Sequence, residues 1–105
     1  MAIKNTQLTS TSVLQVFSAT VQTALTTVVF CNVSPTTSTS VNVYAVPFGS
    51  SPLPSTQIMK SLQIAAGDTF VLDTERFILE ANDSIWAQAS VGNCITITVS
   101  SMMTA

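Results

Sequence analysis

Apolar and polar residues alternate along most of the chain, and no stretch shows the apolar spacing of an amphipathic helix. Alternation with a period of two is typical of a β-strand that has one buried face. The strongest run, ALTTVVFCNV over residues 24–33, is also rich in the β-branched residues that favour strands. Further strands are predicted over residues 13–17, 41–45, 56–64, 70–72, 85–89 and 95–99.

Turn-forming residues separate these runs. The segment SPTTSTS lies between two predicted strands, and the longest loop, PFGSSPLPS, contains three prolines and one glycine. About seven or eight short strands separated in this way are typical of a β-sandwich or small barrel. We therefore predict an all-β fold, a single antiparallel β-sandwich of jelly-roll or immunoglobulin-like topology over residues 1–105, with residues 1–11 as an N-terminal contact arm.

One charged residue conflicts with the alternation. In the strand predicted over residues 56–64, Lys60 falls on the same side as Ile58, Leu62 and Ile64. A β-bulge inserts one extra residue and reverses the alternation after it. The pattern therefore predicts a bulge, or an exposed strand end, near Lys60.

Two segments, IAAGDTFV and LEANDSIW, share the same order of residue types. Each has a residue that tolerates positive φ, Gly67 or Asn82, followed by an aspartate, Asp68 or Asp83. An aspartate after such a residue accepts hydrogen bonds from nearby turn amides. We interpret all four residues as turn-forming. The less favoured alternative is that the two aspartates bind a metal ion or a substrate.

The charged fraction is 8%, against about 25% in a typical soluble domain, and serine and threonine supply 30 residues. A surface with so few charges has little electrostatic repulsion to keep copies apart. This composition indicates a chain that works in an assembly. The alternative is an extracellular domain that is simply neutral and hydroxyl-rich.

Several partner classes do not fit the composition. The three basic residues, Lys4, Lys60 and Arg76, are too few for a phosphate-binding surface, so no nucleic acid partner is expected. No apolar run reaches the length of a membrane span, and no membrane association is expected. The N-terminal segment MAIKNTQLTSTS lacks an apolar core, so we expect synthesis in a cytoplasm without a signal peptide.

The chain contains no histidine, which excludes Ser–His and Cys–His nucleophile pairs and the usual zinc sites. No spacing places two carboxylates across one cleft, as a glycosidase requires. We expect no enzymatic activity, no cofactor and no metal. The alternative is a calcium site built from Asp73, Glu75 and loop carbonyls.

The two cysteines, Cys31 and Cys94, are not expected to form a disulfide. Cys31 is in phase with Leu25 and Val29 and is predicted to point inward, whereas Cys94 is out of phase with Ile95 and is predicted to point outward. Free thiols are also the norm in a cytoplasm.

Three aromatic residues are candidates for partner contacts. If Ile85 points inward, Trp86 points outward together with Gln88, and an outward tryptophan is a typical interface anchor or sugar-stacking surface. Tyr44 also falls on a polar face, and Phe48 lies in the proline-rich loop. The alternative is that Trp86 is buried within the domain.

Three segments, MAIKNTQLTSTS, VNVYAVPFGS and LQIAAGDTFVLDTERFILEANDSIWAQAS, together resemble a family of small virion structural proteins of tailed bacteriophages. The resemblance covers nearly the whole chain, and the block from GDTFVLDTE to NDSI is its most specific part. Asn82 stands where the family more often has glycine, and the proline-rich loop lacks the family's glycine-rich stretch. The resemblance implies a β-sandwich accessory protein of the virion without catalytic residues.

The resemblance, taken together with the composition, favours a capsid decoration or cement protein, assembled in the host cytoplasm, whose main partner is the major capsid protein. It also implies a homo-oligomer, a symmetric trimer being one such form. We expect contacts through Trp86, Tyr44, Phe48, Ile3 and Lys4. The alternatives are a component of the neck, tail or fibre base, and a host-surface carbohydrate-binding module that uses Trp86.

Overall fold

Nine β-strands form two antiparallel sheets in the computed structural model, which describes residues 2–72 and 77–103. The five-stranded sheet has the order β1-β9-β3-β6, with β7 also paired to β3, and the four-stranded sheet has the order β2-β8-β4-β5. The strands are β1 (Ala2–Leu8), β2 (Leu14–Ser18), β3 (Thr23–Asn32), β4 (Thr39–Val46), β5 (Gln57–Ile64), β6 (Thr69–Leu72), β7 (Phe77–Leu79), β8 (Ser84–Ala89) and β9 (Ile95–Met103). A single turn of 3-10 helix, Pro54–Thr56, precedes β5.

The strand pairing defines a jelly roll. Strands β6 and β7 pair with different parts of β3 along the same edge, so together they occupy one strand position. With these two counted as one, the strands form four pairs that are nested along the sequence: β1–β9, β2–β8, β3–β6/β7 and β4–β5. Both strands of each pair lie between the two strands of the preceding pair in the sequence. Nested antiparallel pairing is the jelly-roll arrangement. The predicted antiparallel β-sandwich is therefore confirmed, and jelly-roll is the correct one of the two predicted topologies.

Two strands were not predicted. β1 occupies the residues that were expected to form a contact arm, and it pairs with β9 over its whole length, from Ala2 to Leu8. Only Leu8 is buried among its side chains that the structure describes, so β1 lacks the apolar alternation that identifies a strand in a sequence. β7 has only three residues, Phe77–Leu79.

The core lies between the two sheets. Ile85, Ala87 and Ala89 face inward from β8, as predicted. On the opposite sheet, the rings of Phe30 and Phe70 pack with their centroids 6.1 Å apart. Most of the other buried side chains of the core are aliphatic, and their burial is the main source of stability for a sandwich of this size.

The predicted bulge near Lys60 is confirmed. The β4–β5 register shifts between Val41 and Val43, and Ser61 has a φ of 55°. The Ser61 amide donates to Asn42 Oδ1 at 2.8 Å, which anchors the bulge to the neighbouring strand. Lys60 is therefore exposed, while Ile64 is buried on the inner face.

A second bulge, in β3, makes the prediction for Cys31 wrong. The register with β9 shifts between Leu25 and Thr27, so the buried residues change from odd to even numbers, with Phe30 fully buried. Cys31 consequently lies half-buried on the outer face. The inserted residue reverses the alternation, which no pattern in the sequence indicates.

The prediction for Cys94 is also wrong. Cys94 lies in the turn before β9 and is buried, with its carbonyl accepting the Val33 amide at 2.7 Å. Alternation does not extend into turns, so the alternation along β9 does not predict the direction of the Cys94 side chain. Both cysteines are free thiols.

Asn32, at the end of β3, is the most buried polar side chain of the sandwich, with 1% exposure. Its Nδ2 donates to the carbonyls of Thr37 (2.9 Å) and Ile64 (3.0 Å), and its Oδ1 accepts the Ser34 amide at 3.0 Å. It thus connects the β3–β4 loop to the last residue of β5. This role of Asn32 was not predicted from the sequence.

Candidate binding faces

The segments IAAGDTFV and LEANDSIW form similar turns. Gly67 and Asn82 have φ values of 76° and 72°, in the left-handed region. The Asp68 amide donates to the Ala65 carbonyl at 2.9 Å, and the Asp83 amide donates to the Glu80 carbonyl at 3.1 Å. All four residues predicted to be turn-forming therefore lie in hydrogen-bonded turns that precede β6 and β8.

The two aspartate side chains differ. The Asp83 carboxylate accepts the Phe48 amide at 2.8 Å through one oxygen and the Glu80 amide at 3.0 Å through the other. It therefore joins its own turn to the loop after β4. The exposed Asp68 carboxylate has no hydrogen-bond partner in the described part of the chain.

The two aspartates also lie at opposite ends of the sandwich. The Asp68 carbonyl accepts the amide of Asn32, the last residue of β3, whereas the Asp83 carbonyl accepts the amide of Ala19, shortly before β3 begins. A strand of this length extends about 30 Å, so the two carboxylates do not share a ligand.

No group of three cysteine, aspartate or glutamate side chains is placed to hold a metal ion in residues 2–72 and 77–103. The candidate calcium ligands Asp73 and Glu75 lie outside the described residues. No helix in the described ranges has the length and apolar content that crossing a bilayer requires.

The outer surface of the four-stranded sheet carries two aromatic residues in one row. Tyr44 on β4 is the register partner of Trp86 on β8, and Gln15 on β2 and Gln57 on β5 extend the row at either end. In the adjacent row, Gln88 pairs with Asn42. We call this surface the aromatic face, defined by Gln15, Asn42, Tyr44, Gln57, Trp86 and Gln88.

The Trp86 ring lies along its own strand. Its Nε1 donates to the Oγ of Ser84, two residues earlier, at 2.9 Å. The ring therefore lies next to Ser84, which is buried although it faces outward, as is its register partner Val46. Trp86 itself is half-buried. Part of the Trp86 side chain is therefore open to solvent.

The amides around the aromatic pair fall into two groups. Gln88 Nε2 donates to the Thr11 carbonyl at 2.9 Å, and Asn42 Nδ2 donates to Gln88 Oε1 at 3.3 Å, so these two amides are held in place. In contrast, the Tyr44 hydroxyl and the Gln15 amide have no hydrogen-bond partner among the residues the structure describes.

The outer surface of the five-stranded sheet carries no charged side chain among the described residues. Hydroxyl groups bond across its strands, as Thr98 Oγ1 does to Asn5 Oδ1 at 2.7 Å. Its exposed aliphatic side chains include Val71 and Ile78, which are 46% and 56% exposed. We call this surface the neutral face, defined by Ile3, Asn5, Gln7, Ala24, Thr27, Val29, Cys31, Thr69, Val71, Ile78, Thr96, Thr98, Ser100 and Met102.

The structure divides the predicted contact residues between the two faces. Tyr44 and Trp86 lie together on the aromatic face, and Phe48, 74% exposed, follows the end of β4. Ile3, 71% exposed, lies on the neutral face, and Lys4 is exposed beside it on the edge strand β1. Ile3 and Trp86 are on opposite sides of the sandwich, so one flat partner surface does not contact both.

The neutral face and the positions of Gln15 and Gln57 were not predicted from the sequence. The scarcity of charge in the predicted strands was visible, but the β3 bulge concealed which residues share the face. The pairing of Gln15 and Gln57 with the aromatic residues depends on register across three strand pairs, which a single sequence does not reveal.

An open cavity of about 350 Å³ lies at the end of the sandwich where β2 and β9 end. Phe17, Thr23 and Met103 are among its lining residues, and none of the lining residues is charged. With no titratable group and no aligned set of polar groups, this cavity does not define a site for chemistry.

No protein-family model and no curated protein matches the chain. Among solved structures, the chain is similar to a chain in the structure of infectious bursal disease virus Gx strain, with a TM-score of 0.42 and 9% sequence identity. The alignment covers 99% of this chain but only 32% of that chain, so this chain spans about a third of its length.

Proposed function

We propose that the chain is a non-catalytic structural protein of a virus particle that decorates the capsid shell of a tailed bacteriophage. The neutral face is the observation that carries this proposal. Interfaces between proteins are depleted of charge at their centre, and exposed apolar groups ringed by polar ones mark such surfaces. The resemblance to small phage virion proteins supports the same function.

The size of the neutral face supports a stable contact. Four strand positions, about 4.8 Å apart, and the length of β3 from Ala24 to Cys31 give a footprint of roughly 500 Å². Since side chains add accessible area to this footprint, the face approaches the ~800 Å² that each partner buries in a standard interface. The partner surface in this proposal is the major capsid protein, with a similarly uncharged face.

The direct test is cryo-electron microscopy of particles produced by the genome that encodes the chain. The proposal expects hundreds of copies on the shell, each with its neutral face against the capsid. About a dozen copies at the neck, tail or fibre base would show that the chain is a component of that structure and does not decorate the shell. Particles that lack the chain altogether would refute a virion function.

A pair of matched variants tests which surface docks. Ile78 on the neutral face and Leu53 on the proline-rich loop have similar exposure, 56% and 51%. Ile78→Asp should lower occupancy at least tenfold when purified protein is added to undecorated capsids, because it places a charge inside the contact. Leu53→Asp should bind normally, and equal binding of both variants would show that another surface docks.

We also propose that copies of the chain associate through the edge of β1. This strand has a continuous register with β9, no proline or bulge and a single lysine, Lys4, so most of its outer edge is open to pairing with another strand. The other edges are interrupted: β2 and β5 contain register shifts, and β6 and β7 are short. Such interruptions discourage strand pairing.

Sedimentation velocity tests this association. Asn5→Lys adds a second lysine to the β1 edge and should weaken self-association at least tenfold, because edge lysines oppose strand pairing. Gln63→Lys on the already irregular β5 edge is the matched control and should have no effect. A chain that remains monomeric at the highest soluble concentration would refute the proposed association.

A further inference from the structure

We propose that the aromatic face binds an uncharged oligosaccharide, with Trp86 and Tyr44 as the stacking surface. This binding site lies on the side of the sandwich opposite the neutral face. Binding is a property of the free protein and does not depend on the proposed position in a virion. In a decorated particle, docking through the neutral face would leave the aromatic face pointing outward.

The two aromatic side chains lie beside each other on the outer surface of the sheet. Trp86 and Tyr44 are register partners on adjacent strands, and the Trp86–Ser84 hydrogen bond holds the indole along the sheet. Its Nε1–H is thereby satisfied without any partner protein. Sugar rings pack against aromatic faces through their C–H groups, and a flat, prepositioned ring loses little conformational freedom when they do.

The residues beside the rings have hydrogen-bonding capacity. Gln15 is exposed at the β2 end of the row, and its amide is unpartnered among the described residues, as is the Tyr44 hydroxyl. Gln57, at the β5 end, uses its Nε2 to bond the Met59 carbonyl at 3.0 Å, so its Oε1 remains available. Sugar hydroxyls both donate and accept, which suits amides and phenols.

The length and charge of the row suit a short neutral ligand. Four adjacent strands about 4.8 Å apart place Gln15 about 14 Å from Gln57, the length of a short oligosaccharide. None of the six residues of the aromatic face is charged, so a neutral ligand is not penalised by unpaired charges. Lys60 is exposed on the outer surface of the edge strand β5, so the row is uncharged although the whole outer surface of this sheet is not.

Trp86 is the only tryptophan of the chain, so its fluorescence reports directly on this face. The experiment titrates the purified full chain with cello-, malto-, laminari- and chito-oligosaccharides, in parallel with a glycan array. The proposal expects a saturable change in emission with at least one of these neutral probes, with a Kd in about the millimolar range or tighter.

Variants assign the binding to the aromatic face. Calorimetry should find that Trp86→Ala weakens binding at least tenfold and that Gln15→Ala weakens it roughly threefold or more. Ile78→Asp, on the neutral face, should bind as the parent does. Gln15→Ala changes only an exposed side chain on an edge strand, so it keeps the test informative if Trp86→Ala fails to fold.

Three results would overturn the proposal. One is the absence of saturable binding to every neutral oligosaccharide and every glycan on the array. Another is binding that Gln15→Ala and Trp86→Ala leave unchanged. The third is binding restricted to acidic glycans and abolished by Lys60→Ala, because the ligand would then be recognised by charge.

Discussion

Replacing Asp83 with alanine should destabilise the fold, whereas the same replacement at Asp68 should not. The two residues follow positive-φ positions in similar turns, yet only Asp83 uses its carboxylate, to accept the amides of Phe48 and Glu80 at 2.8 and 3.0 Å. The pair therefore separates what the carboxylate contributes from what the turn backbone contributes.

The magnitude follows from these two hydrogen bonds. A hydrogen bond to a charged group contributes about 1.5–3 kcal/mol, and less where water replaces the lost partner, as it does near the surface. We expect Asp83→Ala to lower the free energy of unfolding by about 2 kcal/mol. For 105 residues, an unfolding entropy of about 2.1 cal/mol/K per residue converts this into a decrease in Tm of about 9 °C.

Two further variants refine the prediction. Asp83→Asn retains one oxygen and one of the two acceptor positions, so it should lose about 1 kcal/mol. Asp68→Ala should stay within about 0.5 kcal/mol of the parent, because no side-chain hydrogen bond is lost. The order of stability should therefore be parent and Asp68→Ala, then Asp83→Asn, then Asp83→Ala.

Urea unfolding followed by far-ultraviolet circular dichroism measures these differences, with an unchanged m value showing that the native and unfolded states are comparable. Amide hydrogen exchange adds a local readout, since the Phe48 amide should exchange faster in Asp83→Ala. Equal losses at the two aspartates would refute the reasoning, because the carboxylate contacts would then contribute nothing beyond the shared turn geometry.

Three other predictions concern buried and close-packed positions. Asn32→Asp should cost at least about 3 kcal/mol, because a carboxylate oxygen would face two buried carbonyls, and unchanged urea unfolding would contradict this. Gly92→Ala should cost about 1–3 kcal/mol, since an added Cβ would lie 2.9 Å from the Thr9 carbonyl oxygen, and a parent-like Tm would contradict it. Cys31 should react with a thiol reagent in the native state, and Cys94 only after unfolding; equal rates would disprove their different burial.

The positions of most strands follow from local chemistry. Alternation and β-branched residues identified β3, β4, β5 and β8 to within about two residues at either end, because each signal lies within one strand. They also placed the start of β9 correctly, but this strand continues past the predicted end at residue 99 to Met103. The bulge near Lys60 was also predictable, since a lysine in an inward position contradicts its own strand. β1 was not predicted because it is an edge strand that buries few apolar side chains.

The two faces were decided by tertiary structure. The bulge between Leu25 and Thr27 contains no charged residue to reveal it, yet it reverses which side of β3 is buried. The different uses of Asp68 and Asp83 depend on whether a distant loop passes within reach, as the one carrying Phe48 does.

Composition and alternation alone determined that the chain is a nearly uncharged, hydroxyl-rich β-sandwich. Only the folded chain decided that Tyr44 lies beside Trp86 and that Ile3 lies on the opposite side. The physical reason is that period-two alternation is a property of one strand, whereas a surface is built from register between strands that are far apart in sequence.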